Sequence, residues 1–224
     1  MKIIRNFFEF IGERTIRNFS HFMEALYFSR LCISHLFLPR SYHPAMQGIL
    51  LKQIYFTVIQ ILPSFLLLGF LFETIVIGYV ITIAVHYELS NQIGSIIIGF
   101  VFNEFAPLFT AFLIALRSGA AVNTEIAVMQ VSGELNTLKE FNISLIDYLF
   151  LPRIISGMIS TVTLSLLFAS IMLIGGYFFS LVYMNMNLNT YLHTLFSSIQ
   201  VSHLFYLVGK SIAFGFVIML IPSL

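Results

Sequence analysis

The sequence predicts an all-α polytopic membrane protein: an N-terminal interfacial amphipathic helix, then about four transmembrane helices, with a cytoplasmic amphipathic helix between the second and third. Composition is the first observation behind this, because hydrophobic residues make up 58% of the chain and charged residues 9%, against about 25% charged in soluble domains. The second is that apolar runs long enough to cross a bilayer recur along the sequence. The third is the placement of Lys and Arg. Seven of the eleven precede Ile54, three (Arg117, Lys139 and Arg153) bracket the middle connection, and the other two connections carry none. By the positive-inside rule both ends and the 117–153 connection are expected in the cytoplasm.

Several functional classes are disfavoured at once. A formal net charge of +1 provides no field for nucleic acid. A single cysteine, Cys32, leaves no internal disulfide and no Cys-rich metal site; it reads as a small buried hydrophobe sooner than as a reactive thiol. The histidines show no H-E-x-x-H spacing, so no metal is expected. There is no G-x-x-x-x-G-K-[ST] loop either, which argues against an enzyme with its own ATP site. No cofactor is expected on this chain, and any ATP is expected on a partner.

From Ile4 onward, Phe7, Phe8, Ile11, Phe19, Phe22, Met23 and Leu26 alternate at helical spacing with Lys2, Arg5, Glu9 and Glu13. That pattern suits a helix lying in the membrane interface, and its recurring charges exclude a cleavable signal core. Pro39 and Pro44 punctuate the chain, so residues 1–52 form an N-terminal segment and 53–224 the membrane domain. The first span, 54–85, exceeds the ~20 residues a ~30 Å core requires; Pro63 is placed to bend it, and Gln60 and Glu73 interrupt it. After a polar turn, the second span, 93–116, holds Asn103, Glu104 and Pro107 at its middle. The third begins near Ile154 and runs to about Leu181, with Gly157, Thr161 and Ser165 four apart on one face, the spacing that lets helices approach closely in lipid. The fourth, about 204–221, contains Lys210.

Glu104 is costly in hydrocarbon, by about 2.5–3.5 kcal/mol on insertion scales. It is therefore expected to face the protein interior or a wet cavity, as a substrate path or gate, a structural hydrogen-bonder or a proton relay. Glu73 invites the same three readings. Pro107 lacks an amide hydrogen and is expected to kink the helix beside Glu104, and Lys210 is either a partner for one of the acids or a snorkelling cation. In the 118–152 connection, Ile126, Met129, Leu135 and Leu138 form a partial apolar stripe flanked by Glu125, Gln130, Glu134 and Lys139. Such a helix either docks into a groove on a cytoplasmic ATPase or lies on the lipid surface.

Asn103-Glu104-Phe105-Ala106-Pro107, Arg117-Ser118-Gly119, Thr124-Glu125-Ile126, Met129, Pro152-Arg153, Gly157 and Gly175-Gly176 occur in an order and spacing that resembles the MlaE (YrbE-like) family of ABC transporter permeases. The resemblance covers most of 52–211. It implies a multi-pass inner-membrane permease, or an organelle-envelope one, acting as a homodimer with cytoplasmic ABC ATPases and a periplasmic MCE-domain lipid-binding protein, and moving phospholipids or other hydrophobic molecules between inner and outer membranes. It makes the middle connection the ATPase-coupling element, with Arg117, Glu125, Met129, Glu134, Leu135 and Leu138 as its residues; Glu104, Pro107 and Glu73 are the residues expected on the substrate path or gate from their cost in hydrocarbon and the kink. The sequence departs from the family pattern at Asn103, where a basic residue is usual, at Gly133 and Glu134 in place of Glu-Gln, at Ser144-Leu145 in place of Asp-Pro, and at Glu73, where Gly is common. The family also carries a further helix beyond the point where this sequence stops, so a truncated, split or degenerate copy is expected. Two other readings stay open: a transport-inactive accessory or scaffold subunit, and a proton-coupled secondary transporter using Glu73 and Glu104.

Overall fold

The computed structural model describes residue 19 and residues 23–38, 44–89 and 92–223. Most of the expected N-terminal interfacial helix lies outside these residues. Residues 23–36 form helix α1, which is fastened to the bundle. His35 Nδ1 lies 2.8 Å from Asp147 Oδ1, and the Phe28 ring meets Phe150 edge-on at 5.4 Å. Burial of Cys32 in α1 pushes its thiol up to about 11, which makes it unreactive at neutral pH.

Among the described residues, four helical runs are long and apolar enough to cross a membrane: Met46–His86, Ile93–Val131, Ile146–Val182 and Val201–Leu220. The first begins earlier than the sequence suggested. It consists of α2 (Pro44–Ile54), a π-helical turn (Tyr55–Ile59) and α3 (Leu62–His86). Pro63 sits in the first turn of α3, where its missing N–H leaves no bond broken, so the break falls at Gln60 and Ile61 and the proline starts a helix instead of bending one.

The second run joins α4 (Ile93–Ile98), a π-helical segment (Gly99–Phe105), α5 (Ala106–Ile114), a second π-helical segment (Ala115–Gly119) and α6 (Ala120–Val131). At 1.5 Å per residue its 39 residues extend about 58 Å, roughly twice the hydrocarbon core. Its distal end, α6, therefore projects beyond the membrane. The amphipathic helix expected in the 118–152 connection is instead two pieces. Gly133 adopts φ +79°, a left-handed conformation open to glycine without Cβ strain, and separates α6 from α7 (Glu134–Glu140).

After a π-helical turn (Ile146–Phe150), α8 (Leu151–Met184) runs through the centre of the bundle and packs on α2, α3, α5 and α10 (Val201–Leu220). Leu164, Phe168 and Met172 of α8 are fully buried. Phe168 is the hub of an aromatic cluster, 4.7 Å from Phe109 and 5.8 Å from Phe65 between ring centroids. Asn185 ends α8 at φ +50°, a left-handed cap that asparagine tolerates.

The third connection is not simply polar, because it contains α9 (Leu188–Ser198). Tyr191 and Leu195, one turn apart, are its buried face, and α9 packs on α4. Burial holds the Tyr191 phenol protonated well above its ordinary range, and it donates to the Leu173 carbonyl at 2.7 Å.

The expected close approach of the third span is present. Thr161 Oγ1 donates to the Ser211 carbonyl of α10 at 2.7 Å, and Ser211 and Ser165 hydroxyls are 3.0 Å apart. A Cβ on Gly215 would come within 2.7 Å of the Gly157 carbonyl and 2.8 Å of Met158 Cα. These contacts fix α10 against α8 with backbone touching backbone, and thereby fix where Lys210 lies.

Candidate functional site

The site is built where the middle of the second run meets α10. Pro107 has no N–H to offer the carbonyl one turn before it, and the preceding Gly99–Phe105 segment widens to a π-helix, a form frequent at functional positions. The Asn103 carbonyl is taken instead by Lys210 Nζ at 2.7 Å. The same ammonium reaches Glu104 Oε1 at 2.6 Å, and His203, two turns earlier on α10, meets the Asn103 side chain at 2.9 Å. Four polar side chains thus converge from two helices.

On the single chain Glu104 is not enclosed: its side chain is 69% exposed and that of Lys210 37%. Pro107, in contrast, is buried. Lys210 is the tenth residue of the 20-residue α10, so the ion pair lies near mid-membrane on an outward face. Beside it is an apolar groove of about 480 Å³, lined by Phe72, Phe105, Leu108, Phe112, Phe214 and neighbours. Leu108, Phe112 and Phe72 are exposed there.

Glu73 is placed quite differently. It is fully buried on the α3 face turned to α8, so close to Gly175 that a Cβ there would collide with its carboxyl, and neither carboxyl oxygen is hydrogen-bonded. The structure does not bring Glu73 to the Glu104 cluster, and no wet surface reaches it. An unpartnered buried carboxyl lowers stability, and an apolar group of similar shape removes that penalty. Glu73→Met is therefore expected to raise the unfolding midpoint of the purified protein. A lowered midpoint would mean that the Glu73 carboxyl is paired in the folded protein.

In the middle connection, Glu125 of α6 pairs with Arg153 at 2.9 Å. Arg153, at the start of α8, is 1% exposed, whereas Glu125 is 56% exposed, and the Nε and Nη1 atoms of Arg153 have no hydrogen-bond partner. Burial lowers the guanidinium's hydration, and the carboxylate offsets part of that cost. Arg117 stands apart from this pair, donating to Ser64 Oγ of α3 at 3.0 Å. Met129, Leu135 and Leu138 are half-buried and Glu134 is exposed. Beyond α6, the α7 stripe borders solvent.

A bundle of spanning helices, with an ion pair and an apolar groove on an outward face and a helical arm projecting beyond the membrane, is the architecture of a multi-pass membrane permease. The family model described as "Permease MlaE" matches residues 50–224, and the chain belongs to that family of ABC transporter permeases. It is 25% identical over 219 residues to a probable ABC transporter permease protein of Rickettsia typhi, covering 98% of this chain and 83% of the relative. It is 31% identical over 150 residues to a probable ABC transporter permease protein of Synechocystis, covering 65% and 57%. It is also 32% identical over 131 residues to the intermembrane phospholipid transport system permease protein MlaE of Haemophilus influenzae, covering 57% and 49%.

Sequence reasoning missed His203 and left open whether Lys210 pairs with one of the acids or snorkels; the structure pairs it with Glu104. Pro107 carried the signal that could have found Lys210, since a proline in mid-span frees a carbonyl that a nearby donor must satisfy.

Proposed function

We propose that the chain is the transmembrane subunit of an inner-membrane transporter that moves phospholipids or other hydrophobic molecules between inner and outer membranes, driven by ATP hydrolysis on a separate ABC ATPase. The observation that carries this reading is the Glu104/Lys210 pair, exposed near mid-span on one chain. Ionised side chains at that depth face a bundle interior or an aqueous cavity, not hydrocarbon. A second copy of the chain, packed over the Leu108 and Phe112 groove, would enclose the pair in a cavity with an apolar wall and a charged centre, which suits a headgroup and its acyl chains. Pro107 sets the helix geometry that presents Glu104, and the description of the Haemophilus influenzae relative supports phospholipid as cargo. A periplasmic MCE-domain protein is the proposed acceptor or donor on the far side.

The homodimer is tested by replacing Leu108 with Cys in a Cys32→Ser background. Oxidation of membranes should yield a disulfide-linked dimer. A strictly monomeric product under conditions that cross-link a known dimer would place the groove against lipid and sink the shared-cavity reading.

The ATPase is proposed to dock on α6 and α7 through Met129, Leu135 and Leu138, with Glu125 and Glu134 at the rim and Arg117 at the root of the stretch. Half-buried apolar residues at helical spacing on a stretch that borders solvent fit a groove on a partner. Leu135→Asp with Leu138→Asp would carry charge into that groove and is expected to abolish ATPase co-purification while membrane insertion holds. Undiminished co-purification would exclude α7 as the docking helix.

A further inference from the structure

We infer that the groove between α2 and the α5/α6 junction is a second lipid site, which takes an anionic phospholipid with its phosphate at Lys52 and Arg117 and one acyl chain along Leu68, Leu113 and Leu116. Two adjoining cavities make the case. One, of about 440 Å³, is lined by Lys52, Gln53, Thr57, Gln60, Arg117 and Ser118, with Phe56 and Ile61 as apolar wall. The other, of about 290 Å³, is lined by Ser64, Phe65, Leu68, Leu113 and Leu116. They share Ile61 and Arg117. A cationic, hydrogen-bonding chamber therefore opens directly into an apolar trough, which is the shape and polarity sequence of a lipid and not of a free anion.

Arg117 stands at the joint. One of its guanidinium nitrogens is engaged with Ser64 Oγ at 3.0 Å, and the planar fork of remaining N–H groups suits a phosphate. Glu125 also lines the polar chamber, but its carboxylate is held by Arg153 at 2.9 Å, so the chamber's charge is set by Lys52 and Arg117. Leu116 is 61% and Leu68 39% exposed. The trough thus lies open on the outer surface of the spans, where a chain can enter sideways from the bilayer. Lys52 and Arg117 sit at the end of the bundle that carries α6, where polybasic residues meet anionic headgroups in a membrane. The site uses none of the residues of the Glu104 cluster and does not depend on the transport reading.

The test uses the full chain, delipidated in detergent and titrated by native mass spectrometry with dioleoyl phosphatidylglycerol, dioleoyl phosphatidylcholine or glycerol phosphate. The wild type is expected to bind phosphatidylglycerol at least tenfold more tightly than phosphatidylcholine. Lys52→Gln with Arg117→Gln should abolish that preference, Leu116→Trp should weaken phosphatidylglycerol binding with both charges in place, and Lys139→Gln on α7 should preserve the preference. Equal affinity for the two lipids in the wild type would overturn the proposal, as would a preference retained by the double variant or lost in Lys139→Gln. Glycerol phosphate competing as well as the lipid would assign the chamber to a free anion and remove the trough. No ATPase or transport step enters the measurement, so failure of the transport reading leaves this result standing.

Discussion

Glu104→Gln should lower lipid transport by the reconstituted transporter about tenfold or more, with normal expression and assembly. The substitution keeps the shape and hydrogen-bonding capacity of residue 104 but leaves the Lys210 ammonium, now 2.6 Å from its carboxylate, uncompensated near mid-span. A lone charge at that depth costs about 2.5–3.5 kcal/mol, and each 1.4 kcal/mol spent displacing Lys210 is a factor of ten in the population of the competent geometry. Lys210→Gln should impair transport similarly, by stranding Glu104, and also leaves the Asn103 carbonyl with a weaker donor. The reversed pair, Glu104→Lys with Lys210→Glu, should recover part of the activity, since it restores neutrality but not the bond to Asn103. Wild-type transport by both single variants would remove the pair from the mechanism. Transport driven by a proton gradient in the absence of the ATPase would replace the ABC reading with a proton-coupled one.

Gly215→Val should strongly destabilise the bundle. A Cβ at 215 meets the Gly157 carbonyl at 2.7 Å and Met158 Cα at 2.8 Å, and these are backbone atoms of α8 that no rotamer change can move aside. Overpacking of this kind costs about 1–3 kcal/mol and occasionally more; separating α10 from α8 would additionally break the Thr161 bond to the Ser211 carbonyl. Denaturant titration in detergent should therefore show loss of cooperative unfolding or a midpoint well below wild type, with Gly215→Ala intermediate. The residue lies just over one turn beyond Lys210 on α10, so the intermediate Ala variant should also lose transport out of proportion to its residual fold. An unchanged midpoint for Gly215→Val would mean that α8 and α10 do not touch at backbone distance.

Local pattern and burial explain which features could be read in advance. Gly157, Thr161 and Ser165 announced a tight interface because small residues four apart make a flat strip on any helix, and the strip needed only a partner, which proved to be α10. Gly133 was visible too, but its meaning was not: a glycine inside an amphipathic pattern is compatible with a continuous helix until its backbone angle is known. Tyr191 and Leu195 are spaced like a buried helical face, yet a stretch beginning with three alternating asparagines obscured α9.

The sequence by itself determined that this chain is a helical membrane protein of this family, with four spans, a polar interruption at Asn103 and Glu104, and a projecting arm after the second span, because those properties follow from apolar run length, charge placement and residue order along the chain. Only the tertiary structure decided the state of the individual charges. Glu73 and Glu104 are alike in sequence, each an acid in an apolar span, yet one is enclosed against Gly175 and the other stands outward on Lys210. The partner of Glu104 is 106 residues away, and the Arg153 partner Glu125 lies on a different helix. Helical periodicity relates residues three or four apart; which faces of distant helices meet depends on packing across the whole bundle, and that packing separates a buried carboxyl from an outward-facing one paired with a lysine.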